Sequence, residues 1–294
     1  MRYLTAFLGK AWRGLDVLRR VLHLLLLLAL LTLLIVALRS SIPRIPDRGA
    51  LIIRPSGELV EQLSGQPLQR AISEAQGQGA PQTLLWDLTR AIRSAAKDPR
   101  VPALLIETDD LDSAGLPALE ELAAAISEFR RSGKKVIAHG SYFLEGQYYL
   151  AAQADEVYLD PLGFVVLPGP GRYNMYFKEA IDKLGIDVHL LRVGKFKSAG
   201  EPFTRRDMSP EEREESTTYL QALWRGYRTG VGAVRRVDPE AISAYANGYT
   251  AAVKQAGGDA AQVALAARLV TGLRTGPQVE QRMVQLVGMD SVRT

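Results

Sequence analysis

The sequence predicts an α/β domain that follows an N-terminal transmembrane helix and continues into a helical C-terminal extension. Three observations support this prediction. Residues 21–38 form an uncharged apolar run, short apolar segments alternate with helical periodicities over residues 50–208, and residues 209–294 show mainly helical spacing. Repeated strand–helix–strand spacing is typical of parallel strands joined by helices that pack over the sheet.

Composition and charge exclude several classes of protein. The 294 residues are 47% hydrophobic and 23% charged, as expected for a globular chain rather than a disordered one. There is no cysteine, which excludes disulfides and thiolate chemistry, and three histidines are too few for a His-rich metal centre. The net charge of +4 lies within residues 1–20, so the rest of the chain has no basic face for nucleic acid.

The apolar run predicts a membrane anchor. Val21–Leu38 contains no formal charge and as a helix would span about 27 Å, close to the bilayer core of about 30 Å. A cleaved signal peptide is the alternative, but its apolar region is usually shorter and is followed by a cleavage site of small residues. This run is followed by Arg39 instead. Five cations precede the run, so residues 1–20 are expected in the cytoplasm and the main domain in the periplasm of a bacterium. Residues 39–49, with two prolines, are expected to be a linker.

The α/β part, residues 50–208, is assigned element by element from its periodicity. The apolar run at residues 101–107 is typical of a strand buried on both faces, and Gly133 is suited to follow a helix end. The other predicted strands cover residues 50–53, 135–138, 156–159, 164–167 and 187–193. The predicted helices cover residues 84–97, 116–131, 146–154 and 174–184.

The pattern changes after residue 208. Ser209, Pro210 and Glu212 form the start signal of a helix, with an N-cap, a proline in the first turn and a capping-box glutamate. A long helix is predicted to residue 235, followed by helices with breaks at Gly248, Gly257-Gly258 and Gly276-Pro277. No internal repeat is visible within the chain.

Two short motifs suggest hydrolase chemistry and also have a plain structural interpretation. Ser94 and Lys97 match the S-x-x-K of β-lactamases and penicillin-binding proteins, but helical spacing places both on the surface and the later motifs of those families do not fit. His139 and Ser141 put a base and a hydroxyl on one side of a strand end, with no carboxylate partner assignable. A strand-to-loop corner is the favoured explanation of this pair.

A more informative stretch is Val193–Phe203, which has two lysines two residues apart and then a constrained Glu-Pro. Within it, Lys197–Phe203 together with five other segments resembles the signal peptide peptidase A family of membrane-anchored bacterial Ser–Lys peptidases, in the N-terminal repeat of the long two-repeat form. The other matching segments are Phe129–Val136, Gly146–Ala151, Ala154–Leu159, Asp207–Pro210 and Leu269-Val270. The resemblance extends from about residue 45 to about residue 290.

The resemblance implies a ClpP/crotonase-like α/β fold on a single-pass anchor in the bacterial inner membrane. It also implies a homo-oligomer, a tetramer by analogy, that cleaves signal peptides after their release, with no metal or organic cofactor. The family divides its dyad between the repeats, the first supplying a lysine base and the second a serine nucleophile. Carried onto this chain, the general base is Lys197, in the Lys-Ser-Ala match, and Lys195 is the weaker choice.

The chemistry of such a base requires burial. A lysine has an ordinary pKa of about 10.4 and is protonated at neutral pH, so that it cannot accept a proton from serine. Desolvation penalises the ammonium and would make Lys197 a usable base. The neighbouring Phe196 and Phe203 are expected to contribute to this burial.

The chain departs from a complete enzyme at the nucleophile. Single-repeat relatives carry serine within a Ser-Gly-Gly-Tyr-Tyr-like segment, and the corresponding segment here is Glu145–Tyr149, with Glu145 at the serine position. Three explanations stay open: a fragment or truncated frame of a doubled protein, a half that pairs with a separately encoded serine-bearing half, or a catalytically silent membrane scaffold. The first is favoured, because the context of Lys197 is intact. The expected partners are therefore released signal peptides, inner-membrane lipid and a serine-bearing half.

Overall fold

The computed structural model describes residues 2–40, 47–77 and 81–288. The chain divides into two compact units, residues 1–47 and residues 48–294. The first unit is the helix α1 (Arg2–Ser40), and the predicted transmembrane segment 21–38 lies wholly within it. Residues 41–46 of the predicted linker lie outside the described residues.

The second unit alternates strands and helices, which confirms the predicted α/β class. Its first half contains β1 (Leu51–Ile53), β2 (Gly57–Val60), α2 (Pro67–Ala75), β3 (Gln82–Leu84), α3 (Leu85–Lys97), β4 (Ala103–Glu107), β5 (Leu111–Ala114), α4 (Leu116–Arg131), β6 (Lys135–Gly140), α5 (Glu145–Ala151) and β7 (Glu156–Leu159). Its second half contains α6 (Lys178–Lys183), α7 (Glu201–Thr204), α8 (Pro210–Arg235), α9 (Pro239–Gln255), α10 (Ala260–Ala266), β8 (Gly272–Leu273) and α11 (Gly276–Val287).

Two parallel sheets organise this unit. The larger has the strand order β1-β4-β6-β7-β8, and the smaller has the order β3-β2-β5. The larger sheet is covered on both faces, because alternate residues of its strands face opposite sides. On one side Leu104 and Ile106 join the core formed with α3, α4 and α5. On the other side Leu105 and Ile137 pack with Val279 and Met283 of α11. The continuous apolar run at residues 101–107 reflects this two-sided burial.

Most start and end signals of the helices act as predicted, but Glu212 does not close the predicted capping box, because the Ser209 N–H donates to Glu201 instead. Ser209 caps α8, since its Oγ accepts a hydrogen bond from the Glu212 N–H at 3.1 Å, and Pro210 begins the helix. Gly133 follows α4 with a φ of +83°, the left-handed conformation that glycine adopts without strain. The Gly257-Gly258 break separates α9 from α10.

Four predicted features are wrong. Residues 164–167 form an isolated bridge between Phe143 and Val165 rather than a strand, and residues 187–193 form no strand. The helix predicted over residues 174–184 is only Lys178–Lys183. Gly248 lies inside α9 and does not break it, since a glycine within a helix costs only about 1 kcal/mol.

The residues after 208 also complete the main sheet. The short strand β8 pairs in parallel with β7, and α11 then packs across β4 and β6. A division at residue 208 therefore separates the long helices from the core strands in sequence, while residues 48–294 form one compact unit.

Candidate active site

Lys197 lies in the loop between α6 and α7, and its side chain is exposed. Its aliphatic stem runs beside Gly194, with Cγ 3.6 Å from the position that a Cβ on Gly194 would take. Its Nζ makes no hydrogen bond or ion pair to any residue in the described part of the chain. Lys195 differs, because its Nζ lies 5.2 Å from the centroid of the Phe196 ring in a cation–π contact. Of the two lysines, Lys197 therefore has the amine without a partner among the described residues.

The predicted burial of Lys197 is wrong for this chain by itself. Phe203 stacks on Phe177, with ring centroids 6.2 Å apart, and the Phe196 ring faces Lys195. Both phenylalanines are 47% exposed. The two aromatic rings that were expected to desolvate the amine contact other side chains instead, and the loop lies at the surface.

The loop that carries Lys197 belongs to a longer exposed segment, residues 172–200, which we call the arm. Its large apolar side chains project into solvent: Tyr173, Leu191 and Val193 are 95%, 98% and 85% exposed. Large apolar side chains exposed in one segment are a feature of surfaces that another protein can cover. The arm thus presents the candidate base on a surface suited to a partner.

Ion pairs with buried carboxylates hold the arm at both ends. Arg172 lies 2.8 Å from Oε1 of Glu212, whose side chain is 1% exposed. Arg192 lies 3.5 Å from Oε1 of Glu201, whose side chain is 4% exposed. Burial by itself raises the pKa of Glu201, but hydrogen bonds from Ser209 and nearby arginines together hold that pKa below its ordinary value. Both carboxylates lie at or near the start of α8.

Glu145, which the sequence resemblance sets against the serine of single-repeat relatives, begins α5. The turn before it is fixed by Gln147, whose Oε1 accepts the Leu144 N–H at 2.8 Å and whose Nε2 donates to the Leu111 carbonyl at 3.1 Å. The Glu145 carboxylate accepts the Gly169 N–H, and its backbone carbonyl accepts the Tyr227 hydroxyl at 3.0 Å. Burial raises the pKa of Glu145, and the Gly169 hydrogen bond opposes this rise in part. The side chain therefore has a structural partner and no hydroxyl with which to act as a nucleophile.

The hydroxyl of Ser141 contacts a carboxylate that the sequence did not reveal. Its Oγ donates to Oδ2 of Asp109 at 2.7 Å, and its N–H donates to Oδ1 at 2.8 Å. His139 lies two residues earlier, near the end of β6, and its buried Nε2 has no hydrogen-bond partner among the described residues. A serine bonded directly to an aspartate is held in place and lacks the base that would activate it.

His139 and Asp109 help to line a polar cleft of about 290 Å³ on the α11 side of the sheet. The other charged residues of its wall are Arg54, Glu107, Asp110 and Glu280. Arg54 and Glu107 form an ion pair. No group of three or more His, Asp or Glu side chains in the described ranges is arranged to hold a metal ion. Ser94 and Lys97 are exposed on α3, as predicted.

Comparison with known proteins places these features in a family. Residues 128–290, which include Glu145 and Lys197, match peptidase family S49. The chain is 36% identical over 247 residues to Protease 4 of Haemophilus influenzae, covering 83% of this chain and 40% of that protein. It is 33% identical over 295 residues to Protease 4 of Salmonella typhi, covering 98% of this chain and 48% of that protein. The chain thus spans about half the length of these curated relatives.

A less similar relative and several solved structures also match the chain. The chloroplastic serine protease SPPA of Arabidopsis thaliana is 29% identical, over 50% of this chain and 22% of that protein. Among solved structures, an enoyl-CoA hydratase/isomerase family protein from Silicibacter pomeroyi matches with a TM-score of 0.37 and 15% identity, over 84% of this chain and 81% of that chain. The membrane-bound stomatin-specific protease 1510-N matches with a TM-score of 0.35 and 11% identity, over 81% and 86%. By its sequence match over more than half its length, the chain belongs to peptidase family S49.

Proposed function

We propose that this chain is the lysine-bearing half of a membrane-anchored serine-type endopeptidase that degrades signal peptides after their release. In this proposal Lys197 is the general base, and a serine-bearing second half supplies the nucleophile. Membership of family S49 supports the peptidase class. The observation that carries the assignment is the position of Lys197, an unengaged amine on an exposed apolar arm.

The proposed reaction needs two things besides Lys197: a serine hydroxyl, and a site from which water is excluded around the lysine amine. The neutral lysine amine takes the proton of the serine hydroxyl, and the serine oxygen attacks the peptide carbonyl carbon. The resulting ammonium returns the proton to the leaving amine. Water then hydrolyses the acyl-enzyme, which frees the acid product and restores the serine hydroxyl. A lysine ammonium in water holds its proton too tightly for this role, and burial is what lowers its pKa. We therefore place activation at the moment when the partner covers the arm.

The partner that fits the arm is apolar and comes from the same family. Leu184, Leu191 and Val193 would lose their exposed apolar surface in such a contact, at about 25 cal/mol for each Å² buried. A serine-bearing half is the occupant we favour, because it would bury Lys197 and supply the hydroxyl at once. A homo-oligomer, a tetramer by resemblance, would be built on the same contacts.

The anchor defines the proposed location. Asp16–Val36 is a described stretch long and apolar enough to cross a membrane, with a mean hydropathy of 2.2. Together with the cations that precede it, this supports a single pass through the inner membrane of a bacterium. The N-terminus would be cytoplasmic and the α/β unit periplasmic, in contact with inner-membrane lipid only through its anchor.

Reconstitution with a serine-bearing half tests the proposal. The chain is co-expressed with a second half that carries the Ser-Gly-Gly segment, and hydrolysis of a fluorogenic apolar peptide is measured. We expect Lys197→Ala to lower kcat by at least about 100-fold, the scale of general acid–base catalysis. The matched control, Lys195→Ala two residues away, should stay within about threefold of the parent. Unchanged activity of Lys197→Ala would show that the base lies elsewhere.

A silent membrane scaffold is the second candidate, favoured by the glutamate at position 145. Such a scaffold would bind apolar peptides or family members through the arm without hydrolysis. A fluorophosphonate probe distinguishes the two functions, since it labels only an activated serine. Binding of the second half without labelling would support the scaffold, whereas labelling that depends on Lys197 would support the peptidase.

A further inference from the structure

The loop that presents Lys197 is closed by a single guanidinium. Nη1 of Arg192 lies 3.2 Å from the carbonyl oxygen of Lys197 and 3.5 Å from Oε1 of Glu201. The guanidinium therefore connects the two ends of a loop of ten residues across its open side. Arginine suits this task because its planar group always carries its charge and offers several donors in fixed directions.

Glu201 is itself fixed to the body of the protein. It is 3% exposed, and its Oε2 accepts the N–H of Ser209, the N-cap of the 26-residue helix α8, at 3.1 Å. Its own N–H donates to the carbonyl of Ser198 at 2.9 Å. A continuous set of contacts thus runs from α8 through Glu201 and Arg192 to the backbone of Lys197.

The packing inside the loop leaves little room for another arrangement. A Cβ on Gly200 would stand 2.4 Å from Cδ1 of Leu190. The chain before the loop and the chain at its end therefore lie close together at this point. On the other side of the loop, the stem of Lys197 lies along Gly194. Arg192 supports this closed form because it places its charge beside Oε1 of the buried Glu201, whose Oε2 is bonded to Ser209.

We propose that Arg192 is a positioning residue for Lys197, holding the loop so that the amine points toward a docking partner. This inference rests on the proposed function of Lys197 as the base. Arg192 does not touch the reacting atoms; it acts through the Lys197 carbonyl and the Glu201 carboxylate. Accurate placement matters because an error of about 1 Å in a catalytic group can cost about 100-fold in rate.

The first test uses the full chain alone, in detergent. Because the chain has no cysteine, Lys197→Cys allows a nitroxide label to be placed at this one position. We expect Arg192→Ala to raise the mobility of this label about threefold or more by electron paramagnetic resonance, and Glu201→Gln to act in the same direction. Arg206→Ala is the matched control, since Arg206 pairs at a similar distance with Glu179, but both of these side chains are about two-thirds exposed. Unchanged label mobility in Arg192→Ala would overturn the proposal.

The second test uses the reconstituted enzyme with Lys197 intact. We expect Arg192→Ala to lower kcat by about 10- to 100-fold with KM within about twofold of the parent. Arg192→Lys should recover part of kcat, because lysine keeps the charge but not the fork of donors. In the Lys197→Ala background, Arg192→Ala should cause no further loss. A rise in KM or loss of the partner, with kcat unchanged, would assign Arg192 to docking and overturn the positioning role.

The two tests separate this inference from the proposed function. If the parent assembly hydrolyses no peptide, or if Lys197→Ala keeps full activity, the assignment of the base fails. Label mobility then still decides whether Arg192 and Glu201 hold the loop. If hydrolysis depends on Lys197 but neither mobility nor kcat responds to Arg192→Ala, only the positioning role is refuted.

Discussion

At the scale of single residues, Glu145 shows what the serine position does in this chain. Its carboxylate is held by the Gly169 N–H, while its carbonyl is held by the hydroxyl of Tyr227, which is 6% exposed. These contacts join the start of α5 to the Gly169 turn and to α8. A residue with this many partners stabilises local structure, and burial makes its ionised form less favourable than in water.

This burial predicts a pH dependence of stability. The pKa of Glu145 in the folded chain is raised above its ordinary value of 4.5, so the folded state holds the proton more tightly than the unfolded state. The free energy of unfolding should therefore fall as pH rises through the interval above 4.5. Glu145→Gln removes this contribution, so its stability relative to the parent should increase as pH rises above 4.5. Urea unfolding at several pH values measures the difference.

An exposed glutamate provides the control for this experiment. Glu121 lies on the outer face of α4, and Glu121→Gln should show a pH dependence parallel to that of the parent. Parallel curves for Glu145→Gln as well would mean that the Glu145 carboxylate ionises as freely in the folded chain as in the unfolded one.

The family resemblance singled out Glu145 and Lys197 in the sequence, but it could not find their partners. Gly169 is 24 residues from Glu145, and Asp109 is 32 residues from Ser141. No periodicity links such positions, since the contacts depend on which strands pair and where loops cross. The exposure of Lys197 was missed for the same reason, because adjacent aromatic residues do not reveal which way their rings turn.

At the scale of elements, tyrosine hydroxyls join the C-terminal helices to the sheet region. The Tyr148 hydroxyl on α5 donates to the carbonyl of Leu269 at 2.7 Å, and the Tyr245 hydroxyl on α9 donates to the carbonyl of Val165 at 2.7 Å. Tyr148 is fully buried. These hydrogen bonds explain why the long helices belong to the same compact unit as the strands.

Removing one of these hydroxyls should destabilise the unit without changing its fold. Tyr148→Phe leaves the buried carbonyl of Leu269 without this donor, and we expect a loss of about 1–3 kcal/mol in the free energy of unfolding. Tyr219 is 59% exposed, so Tyr219→Phe should change stability by less than about 0.5 kcal/mol. Urea unfolding followed by circular dichroism compares the variants. Equal midpoints for both would show that the Tyr148 hydroxyl contributes nothing.

Elements whose signal is local were predicted well, and those that need a neighbour were not. The Ser209 cap and the two-sided burial of residues 103–107 can both be inferred from residues that are adjacent in the sequence. The apolar residues 187–193 have strand-like composition, but a strand forms only where another strand offers its hydrogen bonds, and these residues lie on the exposed arm. Residues 164–167 meet one partner at Val165 and so form a bridge alone.

At the scale of the whole molecule, the chain combines two units that differ in how much apolar surface they expose. Every residue from Leu18 to Val36 is exposed in the helix α1, including a near-continuous series of leucines. Exposed apolar surface of this extent is unfavourable in water and favourable in a bilayer. The α/β unit, residues 48–294, has a closed apolar core of its own on both faces of the main sheet.

Separating the two units should therefore separate membrane attachment from folding. A chain lacking residues 1–47 should move from the detergent-extracted membrane fraction to the soluble fraction, because it loses the 21-residue apolar stretch Asp16–Val36. Its core is unchanged, so the unfolding midpoint of residues 48–294 should stay within a few degrees of that of the full chain in detergent. Replacing two central leucines, Leu27→Arg and Leu30→Arg, should release the full chain as well, at a cost of about 2.5–3.5 kcal/mol for each charge at the bilayer centre. Retention of the truncated chain in washed membranes would instead show that the α/β unit binds lipid or a membrane protein through its own surface, for which the exposed arm would be the first region to examine.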